Sequence, residues 1–151
     1  MVREGLHKIV SIDETIVAVS TALGRSAIGV VRISGKQACE ITRRLFRSRA
    51  PLEHHRVRVG AWVDENGAGV DEVVVTYAKA PDSYTGEDVV EISAHGNPLI
   101  LNHIVQTVRA GGARLAEPGE FTLRAVANGK MDLTQAEAVD LEGGSVLCGH
   151  S

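Results

Sequence analysis

Two different periods of hydrophobic residues run along the chain and predict interleaved strands and helices. Apolar residues that alternate with polar or small ones predict a half-buried strand over 57–63. Short apolar runs rich in β-branched residues predict further strands over 15–19, 28–33, 70–77 and 89–92, and one more short strand is predicted over 113–116, before Pro118-Gly119. A turn that contains Asn66-Gly67 joins two of these strands, so we expect an antiparallel hairpin there.

Helical periodicity predicts two longer helices between these strands. The first follows Ser34, which stands three residues before Gln37, at the spacing of a capping box. The second begins at Asn97-Pro98 and ends at Gly111, because asparagine caps a helix, proline fits its first turn and glycine stops it. The apolar stripe of this second helix comprises Leu101, Ile104, Val105 and Val108.

Two further helices are predicted towards the C-terminus, over 121–127 and 133–141. Asp132 and Gln135 have the spacing to cap the last of them. Strands and helices are thus interleaved, with at least one hairpin. We therefore predict an α+β fold with a mixed, largely antiparallel sheet and helices packed on it.

Composition and charge narrow the class of protein. A chain of 151 residues with 44% hydrophobic and 23% charged residues is typical of one globular domain and argues against disorder. The net charge of −3 gives no global basic field, so any RNA contact is expected to come mainly from another module. Cys39 and Cys148 suggest no disulfide framework, and no apolar stretch is long enough to span a bilayer. A cytoplasmic location is the resulting expectation.

The sequence offers no pattern of residues that predicts a metal site or a catalytic nucleophile. The histidines show no metal-ligand spacing, so no metal site is predicted. No constellation of serine, cysteine or histidine indicates nucleophilic catalysis, so no catalytic residue is assigned.

Arg32 interrupts the apolar strand predicted over 28–33 and shares a face with Val30 by alternation. A guanidinium on a core face is costly unless it has a carboxylate partner or an anionic ligand. From the residues alone, an ion pair at the end of a strand or a solvated edge is slightly favoured over a ligand role.

Glu91 is an acid between Val90 and Ile92 in a short apolar strand. A carboxylate there can accept two parallel N–H bonds from a planar, amidine-like edge, which a pterin or a guanine presents. It can equally serve as the partner of an internal arginine, and Arg32 is available. Both interpretations hold if the two residues face each other across one pocket.

Lys130 follows the turn Asn128-Gly129 and stands just before the helix predicted over 133–141. The helix macrodipole gives no reason for a cation at this end, which favours a ligand role such as contact with a carboxylate tail. An exposed turn lysine is the commoner explanation of such a residue. The residues alone leave both interpretations open.

Longer motifs occur along the chain in a fixed order. They are TIVA at 15–18, VRISG at 31–35, SYTGEDVVE at 83–91, HG at 95–96, AEPGEFT at 116–122 and NGKMDLTQAEAV at 128–139. With this ordered set, the chain resembles the N-terminal domain of the tRNA modification GTPases of the MnmE/TrmE family. The resemblance covers nearly the whole chain.

This resemblance implies a fold similar to the folate-binding module of the glycine-cleavage aminomethyltransferases. It also implies a constitutive homodimer that binds 5-formyl-tetrahydrofolate near the dimer interface. Full-length members of the family hydrolyse GTP in a separate domain that depends on potassium and magnesium. With a flavin-dependent partner, MnmG (GidA), they modify C5 of the wobble uridine in certain tRNAs.

The resemblance further implies three folate contacts, which fall on Arg32, Glu91 and Lys130. These residues match the arginine of the VRISG motif, the last glutamate of SYTGEDVVE and the lysine of NGKMDL. They are also the three residues that are hardest to explain structurally. Our hypothesis is that Glu91 pairs with the pterin edge, while Arg32 and Lys130 contact carbonyl or carboxylate groups.

The predicted domains are an N-terminal extension at 1–13, a folate-binding and dimerisation domain at 14–141 and an atypical tail at 142–151. The sequence contains no G-x-x-x-x-G-K-[ST] motif, so we expect the polypeptide to stop before the GTPase domain and not to hydrolyse GTP itself. Two alternatives stay open: a dimerisation scaffold without a functional folate site, and a stand-alone folate-dependent one-carbon transferase.

Overall fold

The computed structural model describes residues 13–21 and 27–142, so the predicted extension and tail lie almost entirely outside the described residues. Seven strands are present in this part: β1 (Ile16–Val19), β2 (Ile28–Ser34), β3 (Phe46–Arg47), β4 (Val57–Val63), β5 (Gly69–Ala78), β6 (Val89–His95) and β7 (Arg114–Leu115). The helices described are α1 (Ala38–Leu45), α2 (Pro98–Ala110), α3 (Glu120–Ala127) and α4 (Leu133–Glu142).

All seven strands form one sheet in the order β3-β4-β5-β6-β2-β1-β7. Every pairing is antiparallel except that of β1 with β7, which is parallel. The predicted α+β fold with a mixed, largely antiparallel sheet is therefore confirmed, and its similarity to the aminomethyltransferase module stays a prediction. No helix among the described residues is long and apolar enough to cross a membrane.

One face of the sheet carries α1 and α2 and contains the hydrophobic core. Trp62 of β4 is fully buried there, and its indole N–H donates to the Thr107 hydroxyl of α2 at 2.9 Å. The stripe predicted on α2 is buried, as amphipathic packing requires. At Gly29 a Cβ atom would lie 2.4 Å from a methyl carbon of Leu101, so glycine at this position gives the Leu101 side chain of α2 room to pack on β2.

The predicted hairpin and two of the predicted helix caps are confirmed. The β4–β5 hairpin turns at 64–68, where the Asp64 carboxylate accepts two backbone N–H bonds. Asn97 accepts the N–H of Leu99 at the start of α2. Asp132 and Gln135 each accept the other's backbone N–H at 2.8 Å, which is the capping box of α4.

The capping role predicted for Ser34 is wrong. Gln37 stands at the cap of α1 and makes no side-chain capping bond. The hydroxyl of Ser34 is instead within 2.8 Å of the Thr85 hydroxyl and donates to Glu87 at 2.7 Å. A buried hydroxyl satisfied by tertiary partners is not available to a neighbouring helix end.

The opposite face of the sheet holds a row of residues in register across four strands. Val57 of β4 lies opposite Thr76 of β5, Thr76 opposite Glu91 of β6, and Glu91 opposite Arg32 of β2. Residues in register across antiparallel strands point to the same side of the sheet. This row therefore brings an acid and an arginine together on the face away from α1 and α2.

Candidate functional site

Arg32 and Glu91 form an ion pair at the centre of this row. Both Nε and Nη2 of Arg32 donate to the same oxygen of Glu91, Oε2, at 3.0 and 2.9 Å. Arg32 is only 5% exposed, whereas the Glu91 side chain is 35% exposed. The structure thus brings these two predicted site residues together, and their pairing is confirmed.

The pair leaves hydrogen-bonding capacity unused on both partners. Glu91 Oε1 makes no hydrogen bond within the described part of the chain, since both arginine donors converge on Oε2. Nη1 of Arg32 is buried and makes no hydrogen bond to any described residue. A buried donor without an acceptor is costly, so a ligand acceptor at this position would be favoured.

Two aromatic rings enclose the Arg32 guanidinium. Its central carbon lies 4.8 Å from the ring centroid of Tyr84 and 5.4 Å from that of Phe121. Both distances are in the range of a cation–π interaction. The hydroxyl of Tyr84 is 3.0 Å from that of Thr122, which ties the 79–88 loop to α3. Sequence reasoning missed both rings, although each stands inside a motif of a chain with only 3% aromatic residues.

A groove of about 570 Å³ opens beside the ion pair. Its walls include Glu91, Lys130, Tyr84, Thr76 and His55. This volume is within the range of small-molecule sites, which run from about 300 to 1,000 Å³. Glu91 and Lys130 therefore share one cavity, and Arg32 lies next to it through its bond to Glu91.

Lys130 is placed by the contact between the 79–88 loop and the end of α3. Its backbone N–H donates to the Ala125 carbonyl at 2.7 Å, and Asn128 donates to the Thr85 carbonyl at 2.8 Å. A Cβ atom on Gly86 would lie 2.8 Å from Asn128 Cβ and 3.2 Å from Lys130 Cγ, and Gly86 has a φ of 82°. Glycine at this position therefore allows the loop to approach the lysine closely.

A buried network of ion pairs also fixes the 79–88 loop, through its residue Glu87. Arg124 of α3 is fully buried and donates to Glu87 at 3.0 Å and to Glu120 at 3.2 Å. Glu120 is also fully buried and accepts two bonds from Arg114, at 2.9 and 2.7 Å. Sequence reasoning missed this network, although an acid and an arginine four residues apart in a short, mostly apolar helix were a signal for it.

Glu120 gives a pH-dependent contribution to stability. Burial raises its pKa, but hydrogen bonds from Arg114 and from the backbone of Glu117 lower it more, so it lies below the ordinary value of 4.5. A carboxylate with a depressed pKa stabilises the fold above its unfolded pKa, and this contribution is lost as the pH falls through the folded value. We therefore expect the wild-type free energy of unfolding to drop between pH 7 and about pH 3.

Glu120→Gln should lose less stability over that range, because the variant has no carboxylate there to protonate. Urea unfolding at several pH values would measure the difference. Glu40→Gln, at an exposed position of α1, is the matched control and should follow the wild-type dependence. A Glu120→Gln curve parallel to the wild-type curve would contradict the assignment.

Most of the chain is similar in sequence to one family of known proteins. Residues 15–130 match the family model described as GTP-binding protein TrmE N-terminus. The chain is 51% identical over 126 residues to the tRNA modification GTPase MnmE of Aquifex aeolicus (strain VF5), a match that covers 83% of the chain and 28% of the relative. The protein of the same name from Salinibacter ruber (strain DSM 13855 / M31) is 52% identical over 129 residues, which cover 84% and 28%. The chain thus spans less than a third of the length of these relatives.

Proposed function

Because the chain belongs to the family of TrmE N-terminal domains, we propose that it is the formyl-tetrahydrofolate-binding and homodimerisation domain of a tRNA modification GTPase. In this proposal the parent protein acts on C5 of the wobble uridine of tRNA together with MnmG. Its GTP, potassium and magnesium are bound by another domain. The observation that carries the proposal is the groove that Glu91 and Lys130 line beside the buried guanidinium of Arg32.

Glu91 is oriented to recognise a planar donor edge. Two N–H groups of Arg32 hold Oε2, so the carboxylate has a fixed direction while Oε1 remains available to the groove. A carboxylate accepts paired N–H donors most strongly when its geometry is set in advance. The pterin of a folate offers N–H donors on one planar edge, and the two lone pairs of Oε1 are the acceptors left for them.

Arg32 and Lys130 have different parts in this arrangement. Arg32 is almost fully buried, so its main contribution is to position Glu91, and its Nη1 can donate to a ligand carbonyl that reaches it. Lys130 is exposed at the groove, where a mobile ammonium group suits a carboxylate tail. This division of roles makes the hypothesis more specific: Arg32 is assigned to a carbonyl group and Lys130 to a carboxylate group.

Calorimetric titration of 5-formyl-tetrahydrofolate into the wild-type chain and into Glu91→Ala tests the folate site. We expect about 10- to 100-fold weaker binding by the variant, because a hydrogen bond to a charged group contributes roughly 1.5–3 kcal/mol. Glu91→Gln keeps the shape and should retain the fold, so it separates lost recognition from lost structure. Glu65→Ala removes an exposed acid of the turn between β4 and β5 as the control. Equal affinities of wild type and both Glu91 variants would overturn the site.

The homodimer is proposed to form through the uncovered part of the same sheet face. Val57 and Val59 of β4 are 59% and 65% exposed, and Val74, which lies opposite Val59, is 37% exposed. The second copy is the proposed occupant, because these valines adjoin the row that contains Thr76 and Glu91. A partner seated there would close the groove from the side, which agrees with a ligand bound near the dimer interface.

The second candidate function is a dimerisation scaffold without ligand. The exposed valines favour it independently of the groove, because they need no folate to be covered. Light scattering combined with the folate titration separates the two functions. A scaffold would dimerise and show no heat of folate binding.

A further inference from the structure

Arginines are concentrated at the β3 edge of the sheet. Residues 43–58 contain six arginines and one acid, although the whole chain has a net charge of −3. The six are Arg43, Arg44, Arg47, Arg49, Arg56 and Arg58. A local excess of this size is hidden by the overall charge and is therefore not visible in the composition.

The folded chain brings a further arginine, Arg109 near the end of α2, to the region where four of these arginines lie, at the end of α1 and in the chain that follows it. Arg44 of α1 donates to the carbonyl of Gly111, just beyond the end of α2, at 3.2 Å. Arg47 of β3 donates to the carbonyl of Arg44 at 3.0 Å. The C-terminal ends of α1 and α2 are therefore adjacent. We define the arginine cluster as the residues that these ends and the chain after α1 contribute, which are Arg43, Arg44, Arg47, Arg49 and Arg109.

Arginines outnumber acids in the cluster and its surroundings, where Glu40 stands one helical turn before Arg43 and Arg44 on α1. All five side chains are exposed, and none takes part in an ion pair with a described residue. The nearby acid Glu53 pairs with Arg58 at 3.5 Å. Favourable interaction with the helix macrodipole accounts for cations in the last turns of α1 and α2. It does not account for Arg47 and Arg49, which lie beyond α1.

We propose that the arginine cluster is a docking surface for the phosphate backbone of a structured RNA. Guanidinium groups donate in a planar fork that fits phosphate oxygens, and an excess of them over acids supplies affinity without sequence selectivity. The choice of RNA over another polyanion rests on the proposed role in tRNA modification.

The position of the cluster is compatible with the proposed dimer. Its helical members lie on α1 and α2, which pack on the face opposite Val59 and Glu91. A homodimer formed through the valine face would therefore leave these helical members open to solvent, whereas Arg47 lies opposite Ala61 and so belongs to the edge of the valine face. Each dimer would present two such surfaces, and the folate groove would lie apart from both.

The test is fluorescence anisotropy with a fluorescein-labelled tRNA transcript and the full 151-residue chain, over KCl concentrations from about 50 to 200 mM. The variant Arg43→Gln/Arg49→Gln removes two charges, and neither arginine makes a hydrogen bond to a described residue. We expect about tenfold weaker binding at 100 mM salt and a log–log salt slope shallower by about 1–2. The variant Arg43→Lys/Arg49→Lys keeps the charge and should retain most of the affinity.

Lys36→Gln/Lys79→Gln is the matched control, because it removes the same charge from exposed positions outside the cluster. An equal loss in the control, or no loss in the cluster variant, would overturn the proposal. A labelled polyglutamate peptide probes an acidic protein partner, and cluster-dependent binding of this peptide with unchanged tRNA affinity would also overturn it. Folate titration of the cluster variant should give the wild-type affinity. A further outcome distinguishes the two proposals. If neither the wild type nor any variant binds folate, but the cluster variant still binds tRNA more weakly than wild type, the proposed folate function is wrong and the docking surface is supported.

Discussion

Replacing Arg124 by methionine is expected to lower the free energy of unfolding by about 3–5 kcal/mol. The guanidinium is fully buried and bridges Glu87, whose side chain is 11% exposed, and Glu120, which is fully buried. Methionine fills similar space but leaves the two carboxylates without their shared partner. An uncompensated buried charge costs much more than the pair itself contributes.

Urea unfolding followed by circular dichroism would measure this loss at pH 7. Arg56→Met, at an exposed position before β4, is the control and should change the free energy of unfolding by less than about 0.5 kcal/mol. The double variant Arg124→Met/Glu120→Gln should recover part of the lost stability, because it removes one of the two carboxylates that lose their bond to Arg124. If the free energy of unfolding of Arg124→Met fell by less than about 1 kcal/mol, the expectation would be wrong. The bond of Ser34 to Glu87 and the ion pair of Arg114 with Glu120 would then be enough to stabilise the two carboxylates.

The network also matters for the proposed ligand site, since it connects to the loop that forms one wall of the groove. Ser34 and Arg124 both bind Glu87, and the same loop carries Tyr84 against Arg32. The loop therefore owes its position to a buried charge arrangement and not to strand pairing. Buried ion pairs are weak evidence for net stability, but one broken partner disturbs everything that the network orients.

The sequence was sufficient to predict the sheet, the hairpin and the Arg32–Glu91 pair because each leaves a local signal. Arg32 and Glu91 each interrupt an apolar run that predicts a strand, so each is visible as an exception. Two exceptions of opposite charge on predicted strands suggested one partnership, and the register places them directly opposite each other. Here pattern and pairing geometry agree.

The rest of the site depends on tertiary contacts that have no local signature. Ser34 has the spacing of a capping residue, but its hydroxyl bonds to Thr85 and Glu87, about fifty residues away. The two-residue strand β3 is too short to show any period and ends a helix that the pattern would have continued. Lys130 lies where the 79–88 loop approaches the end of α3 closely, and Gly86 permits this approach. At Ser34, long-range satisfaction of a polar group overrides the local capping signal.

The sheet face combines the two parts of the proposed function. Val57 stands in the same register row as Thr76 and Glu91, so the apolar patch and the groove are continuous. A change that prevents association should therefore also alter the affinity for folate. The two effects would be independent if the ligand were bound on a different face.

Val59→Asp is expected to convert the proposed homodimer into a monomer. Val59 is 65% exposed and pairs across strands with Val74, so an aspartate there has little effect on the monomer fold. In a two-fold interface one substitution places the charge on both copies. Desolvating these carboxylates costs several kcal/mol. We therefore expect the dissociation constant of the dimer to be at least about 100-fold higher than in wild type.

Sedimentation velocity over a range of protein concentrations would report the change in association. Leu99→Asp is the matched control: Leu99 is 79% exposed on α2, on the other side of the sheet, and its replacement should leave the dimer intact. Folate titration of both variants at the same concentrations should then show weaker binding only for Val59→Asp, because only that variant opens the groove. If Val59→Asp remained dimeric, the interface would not include Val59, and if Leu99→Asp dissociated instead, the interface would lie on the helical side. Either result would contradict the proposed coupling between dimer and ligand.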